Sequence, residues 1–140
     1  MTRTLINPGK TKVLYDNYHF SQATRVGDMV WVSGQVGLDA DMRPGKGLTE
    51  QARLAFGGLK TALEAAGASL GDVVELMTFH IDLRGGSAEF GKVKDEFFPN
   101  NYPSWSAVGV TQLAMPELLV EIRAVAVVDS RAIVTSRILA

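Results

Sequence analysis

The sequence predicts one α+β domain, and three observations carry that reading. Its 140 residues, 46% hydrophobic and 21% charged, fit a single globular unit large enough to bury a core. Strand-like runs alternate with only two amphipathic helices in the order β-β-α-β-α-β-β, which describes a sheet with helices on one face. Several strands are apolar on both sides, although two helices can cover only one face.

Gly27-Asp28 is a tight-turn signal between the runs 21–25 and 29–35, and it marks a hairpin. A loop over 39–47, with Pro44, Gly45 and Gly47, leads to Thr49, an N-cap residue type followed by Glu50 to complement the helix dipole. Leu54, Phe56, Leu59, Leu63 and Ala66 keep helical spacing, and Gly67 suits the left-handed residue that closes a helix. Gly57 and Gly58 inside that helix each cost roughly 1 kcal/mol relative to alanine. Close approach of helix to sheet is one account of them, and simple tolerance is the other. Residues 72–83 read as a long strand. Ser87 as cap, Phe90, Val93 and Phe97 on one face, and Pro99 as terminator mark the second helix. Strands follow at 104–111 and 118–128, and 129–140 reads as a C-terminal tail to a single domain over 1–128.

In the last strand Leu118, Val120, Ile122, Ala124 and Ala126 point one way and Leu119, Val125 and Val127 the other. In the hairpin Val30 and Val32 oppose Met29 and Trp31. Leaving that second face in water would expose an apolar patch of the size that drives association. The chain is therefore expected to form a homo-oligomer through its open sheet face, the alternative being a monomer with an apolar surface.

Composition excludes several functions. A net charge of −1, with no basic stripe interleaved with aromatics, argues against nucleic acid. The absence of cysteine excludes disulfides, thiolate catalysis and Cys-based zinc sites. The N-terminus has no apolar leader core, and no run approaches the roughly 20 apolar residues of a membrane span. The expectation is a cytoplasmic protein with no membrane partner. His19 and His80 stand far apart, so no metal is expected; the glycine clusters at Gly45-Gly47 and Gly85-Gly86 match no nucleotide fingerprint and read as turns, so no cofactor is expected.

Three stretches hold the polar candidates: Ser33-Gly34-Gln35, Pro103-Ser104-Trp105-Ser106, and Glu121 with Arg123. Glu121 and Arg123 share a strand face at i, i+2; either they pair, as at a subunit seam, or Arg123 faces a cleft awaiting an anion. His80 shares a face with Thr78 and Asp82, so a carboxylate could orient its imidazole for base chemistry. A satisfied polar contact is the commoner outcome.

At these residues the chain resembles a known family. The runs Phe20-Ser21-Gln22-Ala23 and Val26 to Gln35, Leu63-Glu64-Ala65-Ala66-Gly67, Gly71-Asp72-Val73-Val74, Pro103 to Val110 and Val120 to Val127 are similar to those of the reactive intermediate deaminases, the RidA/YjgF or endoribonuclease L-PSP family. The resemblance covers nearly the whole chain to about Val128. It implies a chorismate-mutase-like fold assembled as a homotrimer, with the sheets in a central barrel, the helices outside and small-molecule clefts between subunits. Family members hydrolyse enamines and imines such as 2-aminoacrylate to 2-oxo acids and ammonia. An arginine there grips the substrate carboxylate, and a glutamate helps to position water.

Departures from that pattern shape the expected function. The resemblance places the family arginine at Trp105, whose single N–H and lack of charge rule out a bidentate clamp. It places a nearby cysteine at Ala107, a glutamate at Arg123 and a tyrosine at Phe20, while Ser33 and Gly34 remain. Losing orientation and charge stabilisation, each commonly worth about 10²-fold or more, predicts weak or absent 2-aminoacrylate deaminase activity. The expected function is a divergent homotrimer binding a small carboxylate-bearing metabolite. Its candidate reaction is hydrolysis or tautomerisation of an enamine-like or imine-like substrate. Glu121 and Arg123 are the catalytic candidates, and Trp105, Phe20, Ser33, Gly34, Ser106 and Ala107 line the site. The alternative is a non-catalytic binding or interaction protein with a vestigial cleft. Ribonuclease activity ranks last, since no acid–base pair supports it.

Overall fold

The computed structural model describes residues 1–139; Ala140, the end of the expected tail, lies outside the described residues. Six strands form one sheet in the order β1-β2-β3-β6-β4-β5: β1 Arg3–Ile6, β2 Ala23–Val26, β3 Met29–Val36, β4 Val73–His80, β5 Ser104–Gly109 and β6 Val120–Val127. Every neighbouring pair is antiparallel except β4 and β5, which run parallel. Three helices complete the fold: α1 Lys12–Tyr18, α2 Gly47–Ala65 and α3 Leu83–Phe97.

The α+β class, the hairpin and the five predicted strands are all present, with Gly27 holding a φ of 58° in the turn. Strand β1 and helix α1 were not expected. Helix α1 buries no residue, so it carries no apolar stripe for periodicity to detect. The predicted strand over 72–83 is shorter, because the chain turns after His80 and α3 begins at Leu83.

Helices α2 and α3 cover one sheet face. Helix α2 packs on β3, β6 and α3, while α3 lies against β5. The core between them holds Val30, Val32, Leu76, Val120, Ile122 and Ala124 from the sheet, with Phe56, Leu59, Leu63, Phe90 and Val93 from the helices. Phe56 ties the two helices together, with its ring centroid 5.1 Å from Phe97, 5.6 Å from Phe90 and 5.9 Å from Phe98. Full burial of such a ring contributes about 2–3 kcal/mol.

The helix ends differ from the sequence reading. Helix α2 closes at Gly67, φ 85°, with Ala68 N–H donating to Leu63 O and Gly67 N–H to Glu64 O, as expected. Its start is not capped by Thr49, which lies in the first turn and donates its N–H and hydroxyl to Glu89 of α3. An acceptor forty residues away in sequence does the work of a local cap. Ser87 is likewise inside α3, whose N-cap is Asp82 accepting from Gly85 N–H at 3.1 Å. Gly85-Gly86 is therefore helical rather than a turn. Of the other glycine pair, Gly58 lies against the sheet, where an added Cβ would come within 2.7 Å of Gln35 Oε1, whereas Gly57 meets open space.

The start of the tail is held down. Asp72 is fully buried and accepts from Ser69 N–H at 3.0 Å, Arg131 N–H at 3.0 Å and Arg131 Nη1 at 2.7 Å. Burial alone would raise its pKa, but the hydrogen bonds from Arg131 and Ser69 and the Arg131 charge outweigh it, so the carboxyl stays below its ordinary value. Asp72→Ala should cost about 3 kcal/mol in urea unfolding near neutral pH, because the Ser69 and Arg131 N–H groups lose their acceptor and Arg131 loses its 2.7 Å ion pair. A depressed pKa adds stability above the unfolded-state value that is lost as pH falls through the folded one. The mutant's deficit should therefore shrink in acid.

Candidate functional site

The open sheet face carries a mixed surface. Paired registers place Glu121 between Val36 and Phe79, and Arg123 beside Met77, which in turn pairs with Ser106. Met29, Met77, Phe79, Val125 and Val127 are half-buried on this face, and Trp31 keeps 40% of its surface exposed. The two-faced apolar pattern of β3 and β6 is real: even positions 120–126 are buried and odd ones are not.

Glu121 is positioned by an irregularity in β3. The register between β3 and β6 shifts between Val32 and Gln35, so Ser33 and Gly34 bulge opposite Arg123, and Glu121 pairs just beyond them with Val36. Ser33 is pinned there, its hydroxyl donating to Ser21 O at 2.6 Å and its N–H to Gln22 O at 2.9 Å. Gly34 leaves space that the carboxyl fills: a Cβ on Gly34 would come within 2.6 Å of Glu121 Oε2 and 2.7 Å of its Cδ. Burial pushes the Glu121 pKa up, since no cation compensates the loss of water. Among the described residues neither Glu121 nor Arg123 forms an ion pair within the chain, and Arg123 is exposed.

Trp105 sits on the other side of the sheet. It pairs with buried Leu76, so its indole points to the helix-covered face, where its ring centroid is 6.2 Å from that of Phe90 in α3. The indole Nε1–H donates to Thr78 Oγ1 at 3.0 Å, and the same hydroxyl lies 2.7 Å from His80 Nε2. His80 is buried and its pKa is lowered by that burial, which favours the neutral ring. The Thr78–His80 contact is as the sequence placed it. Asp82 is not part of it, because the chain has left the strand by that point and spends the carboxylate capping α3.

Within one chain the candidates therefore fall into two groups on opposite faces. Ser33, Gly34, Glu121, Arg123 and Ser106 belong to the open face; Trp105 and Ala107, which pairs with Thr78, belong to the helix side at the β5 edge. Phe20 is exposed on the segment between α1 and β2. An arrangement of Trp105 and Arg123 around one ligand is thus not available inside a single chain. Two clefts of the single chain, of 370 and 450 Å³, are lined by other residues, such as Arg53 and Glu96 between α2 and α3, and Phe98 and Arg131 near the tail. Among the described residues no helix is long and apolar enough to cross a membrane. Among the described residues no three His, Asp or Glu side chains gather in a way that could hold a metal ion.

Sequence reasoning missed Lys94. The residue is 7% exposed, and its Nζ lies 4.5 Å from the Trp105 ring centroid and 5.8 Å from that of Tyr102. The signal was present: Lys94 follows Phe90 by four residues and so shares its buried face.

Fold and site together define an α+β protein of the chorismate-mutase-like class, with one helix-covered and one open sheet face. The sequence matches the family described as Endoribonuclease L-PSP over residues 11–128. The chain belongs to this family, the RidA/YjgF family. It is 41% identical over 113 residues to the RutC family protein YjgH of Escherichia coli K12, covering 80% of this chain and 86% of the relative. The solved structure of protein YjgH matches with a TM-score of 0.82 at 38% identity, covering 91% of this chain and 98% of that one. The 2-iminobutanoate/2-iminopropanoate deaminase of Dermatophagoides farinae is 34% identical over 113 residues, 79% of this chain and 86% of its own length. E. coli TdcF with bound serine matches with a TM-score of 0.72 at 32% identity, over 77% of this chain and 87% of that one.

Proposed function

We propose that the chain acts as a divergent RidA-like homotrimer. It binds a small carboxylate-bearing metabolite in clefts between subunits and uses Glu121 as the acid–base group that hydrolyses or tautomerises an enamine-like or imine-like substrate. The observation that carries this reading is the Glu121 carboxyl: raised in pKa by burial, without a cation or hydrogen-bond partner among the described residues, and seated on the gap left by Gly34. A carboxyl tuned upward and left free is suited to passing protons to and from a bound substrate. The open apolar face supports assembly, since leaving Trp31 and its half-buried neighbours in water is unfavourable. The split of Trp105 from Glu121 supports a cleft completed by a neighbouring copy. The deaminase name of the D. farinae relative agrees with the reaction class.

Trp105 favours a second reading, non-catalytic binding. Its one N–H is already committed to Thr78, so nothing on this side chain can clamp a carboxylate. Side-by-side assays of 2-oxo acid release from 2-aminoacrylate test the first reading's detail. This chain should be at least about 10²-fold slower than relatives with an arginine at the Trp105 position. Equal rates would overturn the account of Trp105. Turnover no faster than the uncatalysed reaction on every enamine and imine tried would leave the binding-only reading.

A further inference from the structure

We infer that Lys94 is the carboxylate-binding cation of this chain, carried on α3 and held in place by the faces of Trp105 and Tyr102. The inference rests on the reading above that the cleft takes a small carboxylate, and it names the group that takes it. Lys94 is more than nine-tenths buried, yet among the described residues its ammonium has neither an ion-pair partner nor a hydrogen bond. The burial is that of the stem, and the ammonium itself stays within reach of solvent, where an anion can meet it. Its stem follows the buried face of α3 beside Phe90, and its Nζ emerges over the Trp105 indole at 4.5 Å.

The indole cannot turn away, because Nε1–H is tied to Thr78, whose hydroxyl is tied in turn to His80. Trp105 thus acts as a fixed support whose π face orients the cation. Tyr102 and Trp105, 69% and 44% exposed, leave apolar ring surface beside the charge. A single ammonium set against aromatic faces suits one carboxylate on a flat, unsaturated body. A phosphate would call for further donors. The geometry also accounts for a non-basic residue at 105: a guanidinium there would lie against the Lys94 ammonium. The positive charge has moved from the edge strand to the helix behind it.

Calorimetric titration of the purified full-length protein with benzoate, and with neutral benzamide as control, tests this. Wild type should bind benzoate and not benzamide, K94M should lose at least tenfold in affinity, and K94R should keep most of it. The oligomeric state and melting temperature of each variant show that it is folded, and the indole N–H resonance of Trp105 should shift with benzoate only where a cation remains at 94. K94M binding benzoate within twofold of wild type would overturn the inference. Loss in R123Q with K94M unaffected would place the anion on the open face, which sinks Lys94 and keeps the carboxylate reading. Failure of wild type to bind benzoate or 2-oxobutanoate would overturn both.

Discussion

Glu121→Gln should abolish about 10²-fold or more of whatever enamine or imine turnover the protein shows on its best substrate, while leaving the fold at least as stable. The amide is close in shape and occupies the same gap over Gly34, but it cannot carry a proton between substrate and water. The pH profile sets this role apart from a structural one. Burial raises the Glu121 pKa, so a base role predicts a rate that climbs with pH through that raised value, above the ordinary carboxylate range. The mutant profile should be flat there. Stability runs the opposite way. A carboxyl whose folded pKa lies above its unfolded one holds its proton more tightly in the native state, so its stabilising contribution declines as pH rises through the folded value. Above that window Glu121→Gln should melt higher than wild type. Gly34→Ala should copy the activity loss at little cost in stability, since the new methyl displaces only the end of a flexible side chain. A Glu121→Gln enzyme with unchanged rate would remove this carboxyl from the chemistry.

Gln51→Leu should destabilise the protein by about 3 kcal/mol, lowering its melting temperature by roughly 10 °C, although the residue touches no part of the site. Gln51 is 2% exposed on α2. Its Nε2 donates to Gly45 O at 3.1 Å and Glu117 O at 2.9 Å, and its Oε1 accepts from Leu119 N–H at 2.8 Å. One side chain thus latches the helix to the loop before it and to the strand entry that presents Glu121. Leucine fills the volume but leaves two partly buried carbonyls and one N–H without their partners. Gly37 is part of the same latch, since a Cβ there would come within 2.6 Å of Gln51 Cα, a backbone atom that has little room to move. A loss below 1 kcal/mol in denaturant unfolding would show that water replaces these bonds.

What could be read in the sequence was whatever periodicity and local turn chemistry dictate. The apolar stripe of α2, its Gly67 closure, the hairpin at Gly27 and the two-sided character of β6 all follow from spacing and residue type. What could not be read depends on distant partners. Thr49 is a good local cap, but Glu89 from α3 satisfies the same N–H, and the helix starts earlier than Thr49 alone would place it. Alternation put Asp82 on the face of His80, yet alternation ends where the strand ends. The site was half legible. Glu121 and Gly34 are neighbours, as their candidacy required, through a bulge that no propensity announces. Trp105 and Arg123 lie on opposite faces, because register in a sheet is set by pairing partners that a single strand does not reveal.

Native mass spectrometry of freshly purified protein at micromolar concentration tests the central claim most directly, because it reports assembly and any retained small molecule together. A site completed between copies predicts a complex of three chains, with any retained ligand held by the trimer and released with its dissociation. A stable monomer under the same conditions, its open sheet face in water, would contradict it.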